Sequence, residues 1–330
     1  MLDVAALPLP VAAAAILGAS LLLWKAADWF IEGAVGVARR FNMPPMLVGL
    51  VFVSLGTTAP ELATSVLAAL QGAPEAALGN AMGSIVVDEG LALGLAALLA
   101  AKPIAADPSV LRSSGPFLAA MVVLAFFLLL DGELARWEGA LLFGAFIAYS
   151  VYWYGWERPR FSQATAVLEQ TLEEPPEAAR MSTTRIVCLF LAGLAGVLAG
   201  AEVLLMSALA VAYAFEISPA LIGMTVIALG TSIPEIATTL ASVLKGQSSV
   251  GVGNIIGSDI LNICCVAGLS AIANPLPIER DLLFVVYPSM TVIVLTMLFM
   301  LRRGHQLTRA NGAVLLGLYG LHLVILWPLL

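Results

Sequence analysis

Five acidic residues, Glu61, Asp88, Glu89, Glu235 and Asp259, stand inside long apolar stretches of this 330-residue chain. A charged side chain at the centre of a bilayer costs about 2.5–3.5 kcal/mol on insertion scales, so acids in such places carry function by default. No lysine or arginine lies in the four stretches that hold them. Buried carboxylates without basic partners need protons or metal cations. The chemistry implied is a cation pathway.

The spacing sharpens this. Thr57 and Glu61 are four residues apart, as are Ser84 and Asp88, Thr231 and Glu235, and Ser258 and Asn262. Each pair therefore places two oxygen donors on one side of a helix. Pro60 and Pro234 add backbone donors, because a proline inside a helix frees and displaces the carbonyl four residues earlier. Those carbonyls belong to Gly56 and Gly230, so carbonyls around 54–57 and 228–231 can turn toward an ion. Gly79-Asn80 with Gly83-Ser84, and Gly253-Asn254 with Gly257-Ser258, are expected to break the next helices in the same way. Glu89 points about 100° away from Asp88 on a regular helix. It and Asp259 are expected to face helix neighbours or to carry protons.

Every donor in this set is oxygen, which suits hard cations rather than zinc or copper. Magnesium demands a tight octahedron, whereas calcium accepts six to eight oxygens in flexible geometry. Calcium is the better fit to two glutamates and several carbonyls. Each feature alone has a plainer reading. A lone GTxxP segment is a kink, a lone serine or threonine bonds its own helix, and glycines let helices pack closely. What separates the glutamates from a kink is that the pattern occurs twice.

Ten apolar runs near or above the roughly 20 residues needed to cross a bilayer carry these groups, at about 8–33, 43–70, 76–101, 115–130, 137–156, 185–214, 217–244, 248–273, 282–301 and 311–330. Apolar residues make up 61% of the chain and charged ones 11%, against about 25% charged in soluble proteins. Continuous apolar runs without period-two alternation select helices over a membrane barrel. The expected fold is an all-α polytopic membrane protein.

The chain is also written twice. Residues 56–95 and 230–269 align without a gap at an offset of 174, with 14 of 40 positions identical. The register extends upstream, where Asp28 faces Glu202, Pro45 faces Pro219 and Gly49 faces Gly223. Each half holds five spans, and an odd number turns the second copy over. Ten transmembrane helices as two inverted five-helix repeats follow, an architecture whose binding site lies at the repeat interface near the midplane. The division is 1–156 for the first repeat, with its motif at 54–95, and 185–330 for the second, with its motif at 228–269. Between them 157–184 is a polar linker loop broken by Pro175 and Pro176. Twelve lysines and arginines then fall in inner loops against Arg136 and Arg280 outside, with Lys25 in the first span beside Asp28. That bias puts both termini outside the cell membrane.

Several classes drop out. Cys188, Cys264 and Cys265 form no CxxC pair, and two histidines are too few for a histidine metal site. No basic face with interleaved aromatics suggests nucleic acid. There is no HExxH and no nucleophile–base set, so transport rather than catalysis is expected, without a cofactor. A channel would need no occluded site. The expected partners are the lipid bilayer and the transported ions, with a single chain as the working unit.

The segments GTTAPE with GNAMGS, and GTSIPE with GNIIGS, resemble the α-repeats of the calcium/cation antiporter superfamily, especially its prokaryotic sodium/calcium exchangers. The resemblance covers nearly the whole chain and implies exchange of calcium for sodium by alternating access. It implies that Glu61 and Glu235 bind calcium, helped by the backbone carbonyls of Thr57 and Thr231. It implies sodium sites drawing on Thr58, Ser84, Ser232 and Ser258, with the carbonyls of Ser54 and Ala228. The remaining corner is Asp88 opposite Asn262, where similar exchangers often place the amide in the first repeat and the acid in the second. Asn262 argues against potassium transport. Proton/calcium exchange on the same fold remains the alternative reading, although such exchangers usually lack GTSxPE.

Overall fold

The computed structural model describes residues 8–40, 54–152, 181–244 and 248–329, and the chain is almost entirely helical there. The first half contains α1 (Leu9–Arg40), the one-turn α2 (Ser54–Thr57), α3 (Ala59–Leu70), α4 (Pro74–Leu99), α5 (Pro108–Leu128) and α6 (136–152). The second half contains α7 (Thr183–Ala214), α8 (Pro219–Thr231), α9 (Ile233–Leu244), α10 (Ser248–Ala273), α11 (Leu282–Gly304) and α12 (Arg309–Leu326). Seven helices among the described residues are long and apolar enough to cross a membrane, or eight if bent α8 and α9 form one span. α3 falls short because the first part of its expected span, 43–53, lies outside the described residues. So do Pro45, Gly49 and most of the linker 157–184. α5 begins at Pro108, earlier than expected: Leu111 N–H donates to the Asp107 carbonyl at 3.2 Å, and proline suits a first helical position. Glu75, expected in a loop, sits in the first turn of α4, again because a proline starts the helix.

Small residues set how the helices meet. Gly33 backs onto the Phe190 backbone and Gly193 onto that of Phe30, with Gly196 against Ala26 and Gly200 against Leu23. As one number rises the other falls, so α1 and α7 run antiparallel. Gly94 of α4 meets Gly312 of α12, and Gly268 of α10 meets Gly139 of α6. Gly79 and Gly83 bring α4 against the backbone of Ala220 and Met224 in α8, where the two helices run parallel. Two short pairings close the helix ends: β1 (Ile104–Ala105) with β4 (Gln306–Leu307), and β2 (Glu133–Leu134) with β3 (Leu276–Pro277).

The prolines act as expected. Thr58, with φ −84° and ψ 1°, separates α2 from α3, and Ser232, with φ −80° and ψ 7°, separates α8 from α9. Both lie near the sparsely populated bridge region common at functional sites, and the axis turns by 46° between α8 and α9. The breaks expected at Gly79–Ser84 and Gly253–Ser258 are absent. α4 and α10 stay helical through those glycines, which the first copy uses for its close approach to α8. Each helix widens into a π-turn instead, at Val87–Leu93 and at Asn262–Ala267. Wide turns of this kind occur mostly at functional sites.

Candidate site where two bent helices meet

Glu61 and Glu235 occupy the first turns of α3 and α9, directly after the two breaks. The positive end of each helix dipole favours a carboxylate there, and both residues are fully buried. Oε1 of Glu61 accepts a hydrogen bond from Ser232 Oγ at 3.2 Å, while its Oε2 has no hydrogen-bonding partner. Neither oxygen of Glu235 has a hydrogen-bonding partner. Ser232, whose hydroxyl bonds Glu61, stands only three residues before Glu235. The structure therefore brings acids from both halves into one electrostatic neighbourhood.

The other expected residues gather around them. Thr58 Oγ1 donates to Ser258 Oγ at 3.2 Å, joining the first break to α10. Asp88, Ser84 and Asn262 are buried with no partner for their side-chain polar atoms. Asp88 lies in the first turn of one π-turn, and Asn262 starts the other. Asn262 also borders a cavity of about 20 Å³ walled by Ile85, Leu129, Leu142 and Tyr287, room for one water. The Ala228 carbonyl accepts from Ser232 N–H at 3.0 Å and Thr231 Oγ1 at 3.2 Å. Ser54 begins α2, and its side chain lies outside the described residues.

The carboxyl groups of Glu89 on α4 and Asp259 on α10 face each other, so each acid looks onto a neighbouring helix, and both lie near Asp88. Both are fully buried, and none of their four oxygens finds a donor. Among the described residues no lysine or arginine pairs with any of the five acids; the ion pairs there, Lys25–Asp28 at 3.6 Å and Arg185–Glu32 at 3.3 Å, are exposed. Nor do three acid, histidine or cysteine side chains among the described residues converge on a metal geometry. A cation held here needs hydroxyl, amide and carbonyl oxygens to complete its shell.

Asn80 has a role that the motif spacing did not reveal. Its Nδ2 donates to the Glu61 carbonyl at 3.3 Å and to Ser65 Oγ at 2.9 Å, and its Oδ1 accepts from Thr231 Oγ1 at 3.2 Å. One amide thus ties both bends together. The available signal was its identity with Asn254 in the second copy, paired with a hydroxyl residue at 65 and again at 239.

Comparison with known proteins gives the family and the fold. The family model described as sodium/calcium exchanger protein matches residues 11–155 and 185–327. The chain belongs to that family. It is 37% identical over 308 residues to the putative antiporter CaxA of Alkalimonas amylolytica, covering 91% of this chain and 93% of that protein. It is 34% identical to the inner membrane protein YrbG of Escherichia coli strain K12, covering 93% and 94%. To the sodium/calcium exchanger MaX1 of Methanosarcina acetivorans it is 28% identical, covering 92% and 95%. Among solved structures, the sodium-calcium exchanger NCX_Mj soaked with sodium and strontium superposes with a TM-score of 0.66 at 27% identity, covering 96% of this chain and 99% of that one.

Proposed function

We propose that this protein is a secondary active antiporter exchanging calcium for sodium by alternating access. The observation that carries the proposal is that Glu61 and Glu235, one from each copy of the motif, are buried in one electrostatic neighbourhood with oxygens left unpartnered. Two ionised glutamates compensate one calcium ion. Both carboxylates bind it, together with the carbonyls of Thr57 and Thr231. Sodium uses Thr58, Ser84, Ser232 and Ser258, with Asp88 and Asn262 completing the ring. A sodium ion that uses the Ala228 carbonyl must first displace the Ser232 N–H or the Thr231 hydroxyl, since a carbonyl has two lone pairs. The Ser54 carbonyl serves the matching site in the first half.

The scaffold in this reading is ten spans in two inverted repeats, divided at the linker 157–184. Three features support it: antiparallel α1 and α7, the Gly94–Gly312 contact echoed by Gly268–Gly139, and the β1–β4 pairing echoed by β3–β2. The excess of basic residues in the inner loops supports both termini outside. α1 and α7, packed on each other through glycines and largely exposed on the rest of their surfaces, slide across the remaining bundle to expose the site to one side and then the other. The unit is a single chain in the bilayer, without enzymatic activity or cofactor.

The relatives named as sodium/calcium exchangers favour sodium as the counter-ion. Glu89 and Asp259, two carboxyls beyond those that calcium needs, favour the rival reading of proton/calcium exchange. Calcium uptake into proteoliposomes with sodium, potassium and proton gradients imposed separately discriminates the two. Uptake driven by a sodium gradient at clamped pH is expected. Uptake that waits for a pH gradient would replace sodium by protons.

A further inference from the structure

The two asparagines of the repeated GN motif are identical in sequence and unequal in structure. Asn80 is 1% exposed and makes three bonds: to the Glu61 carbonyl, to Ser65 and from Thr231. Asn254 is 8% exposed, and its Nδ2 donates to nothing. The offset of 174 maps Glu61 to Glu235, Ser65 to Thr239 and Thr231 back to Thr57. Both acceptors of the Asn80 amide nitrogen therefore have a counterpart in the second half, the Glu235 carbonyl and the Thr239 hydroxyl. Thr239 stands ready with a fully buried Oγ1 that has no partner.

A buried amide and a buried hydroxyl, each left without a partner, are costly to hold in a fold that has matching groups for both. Permanent slack of this kind has no counterpart at Asn80. An inverted repeat alternates its access by moving one half or bundle against the other around a fixed site, so its two halves are not bonded alike at either end of the cycle. Unequal bonding at equivalent positions is what one end of such a cycle looks like.

We propose, resting on the inverted-repeat antiport reading above, that Asn80 and Asn254 are positioning residues that hold the two bends in turn. In the conformation described, Asn80 fixes the Glu61 bend to the Thr231 bend. In the conformation open to the opposite side, Asn80 releases these groups, and the Asn254 amide nitrogen donates to the Glu235 carbonyl and to Thr239. Each asparagine stabilises one access state without touching the ion.

The test is the calcium KM at each face of the reconstituted, uniformly oriented protein, measured with kcat for Asn80→Ala, Asn254→Ala and the double variant. Removing one latch drains the state it holds, and the apparent affinity at a face follows the fraction of molecules open to it. The ratio of the two KM values should move several-fold in opposite directions in the single variants and return toward the wild-type ratio in the double. Ser65→Ala should copy Asn80→Ala, and Thr239→Val should copy Asn254→Ala, which keeps the test alive if an asparagine variant does not fold. A ratio that moves in the same direction in both, or an equal fall in kcat with the ratio unchanged, would overturn the proposal. Absence of calcium exchange by the wild-type protein would instead overturn the function on which it rests.

Discussion

Ser232 donates a hydrogen bond to Glu61 at 3.2 Å across 171 residues of sequence, so the bend of the second copy holds the acid of the first. The bond related to it by the repeat, from Thr58 to Glu235, is not made; Thr58 donates to Ser258 instead. Side chains equivalent in sequence thus do different work in one conformation.

Removing the Ser232 hydroxyl should therefore weaken the site from its edge. Hydrogen bonds to charged groups contribute about 1.5–3 kcal/mol, so Ser232→Ala should raise the calcium KM roughly tenfold or more. Flux measurements over a range of calcium concentrations check this. An unchanged KM would mean that the bond is absent from the calcium-loaded state.

Close helix packing gives a second expectation. A side chain at Gly139 would strike the Gly268 carbonyl and Ala271, whereas Gly144, on the same helix, has nothing within 4 Å of such a side chain. Overpacking costs about 1–3 kcal/mol. In detergent, Gly139→Val should lower the unfolding temperature, and Gly144→Val should leave it nearly unchanged. Equal effects would place the α6–α10 contact elsewhere.

The side-by-side acids Glu89 and Asp259 make a third. Residues in contact show coupling of about 0.5–3 kcal/mol in double-mutant cycles. Glu89→Leu and Asp259→Leu should change stability non-additively when combined. Strict additivity would separate the two carboxyls.

Much of this was legible in the chain because it rests on local rules. The acids in apolar runs, the proline breaks at Thr58 and Ser232, and the doubled motif each need only neighbouring residues or a self-comparison. The π-turns were not legible. A regular wheel sets Glu89 apart from Asp88, but both lie in a widened turn, with Asp259 near each of them. The glycines at 79 and 83 were misread as breaks because a glycine that loosens a helix and one that admits a neighbour look the same in sequence. The bonding role of Asn80 is hidden in the sequence for a different reason: its partners Ser65 and Thr231 lie 15 and 151 residues away, and only folding brings them together.

The central claim is that opposed glutamates from two copies of one motif hold the transported calcium. Equilibrium calcium binding to purified Glu61→Gln, Glu235→Gln and Glu75→Gln tests it most directly. Loss of one partner from a buried charge pair costs about 2–5 kcal/mol, so each of the first two should bind calcium at least ~30-fold more weakly. Glu75→Gln, at the start of α4, should bind like the wild type. Wild-type affinity in either of the first two variants, or equal loss in all three, would contradict the account.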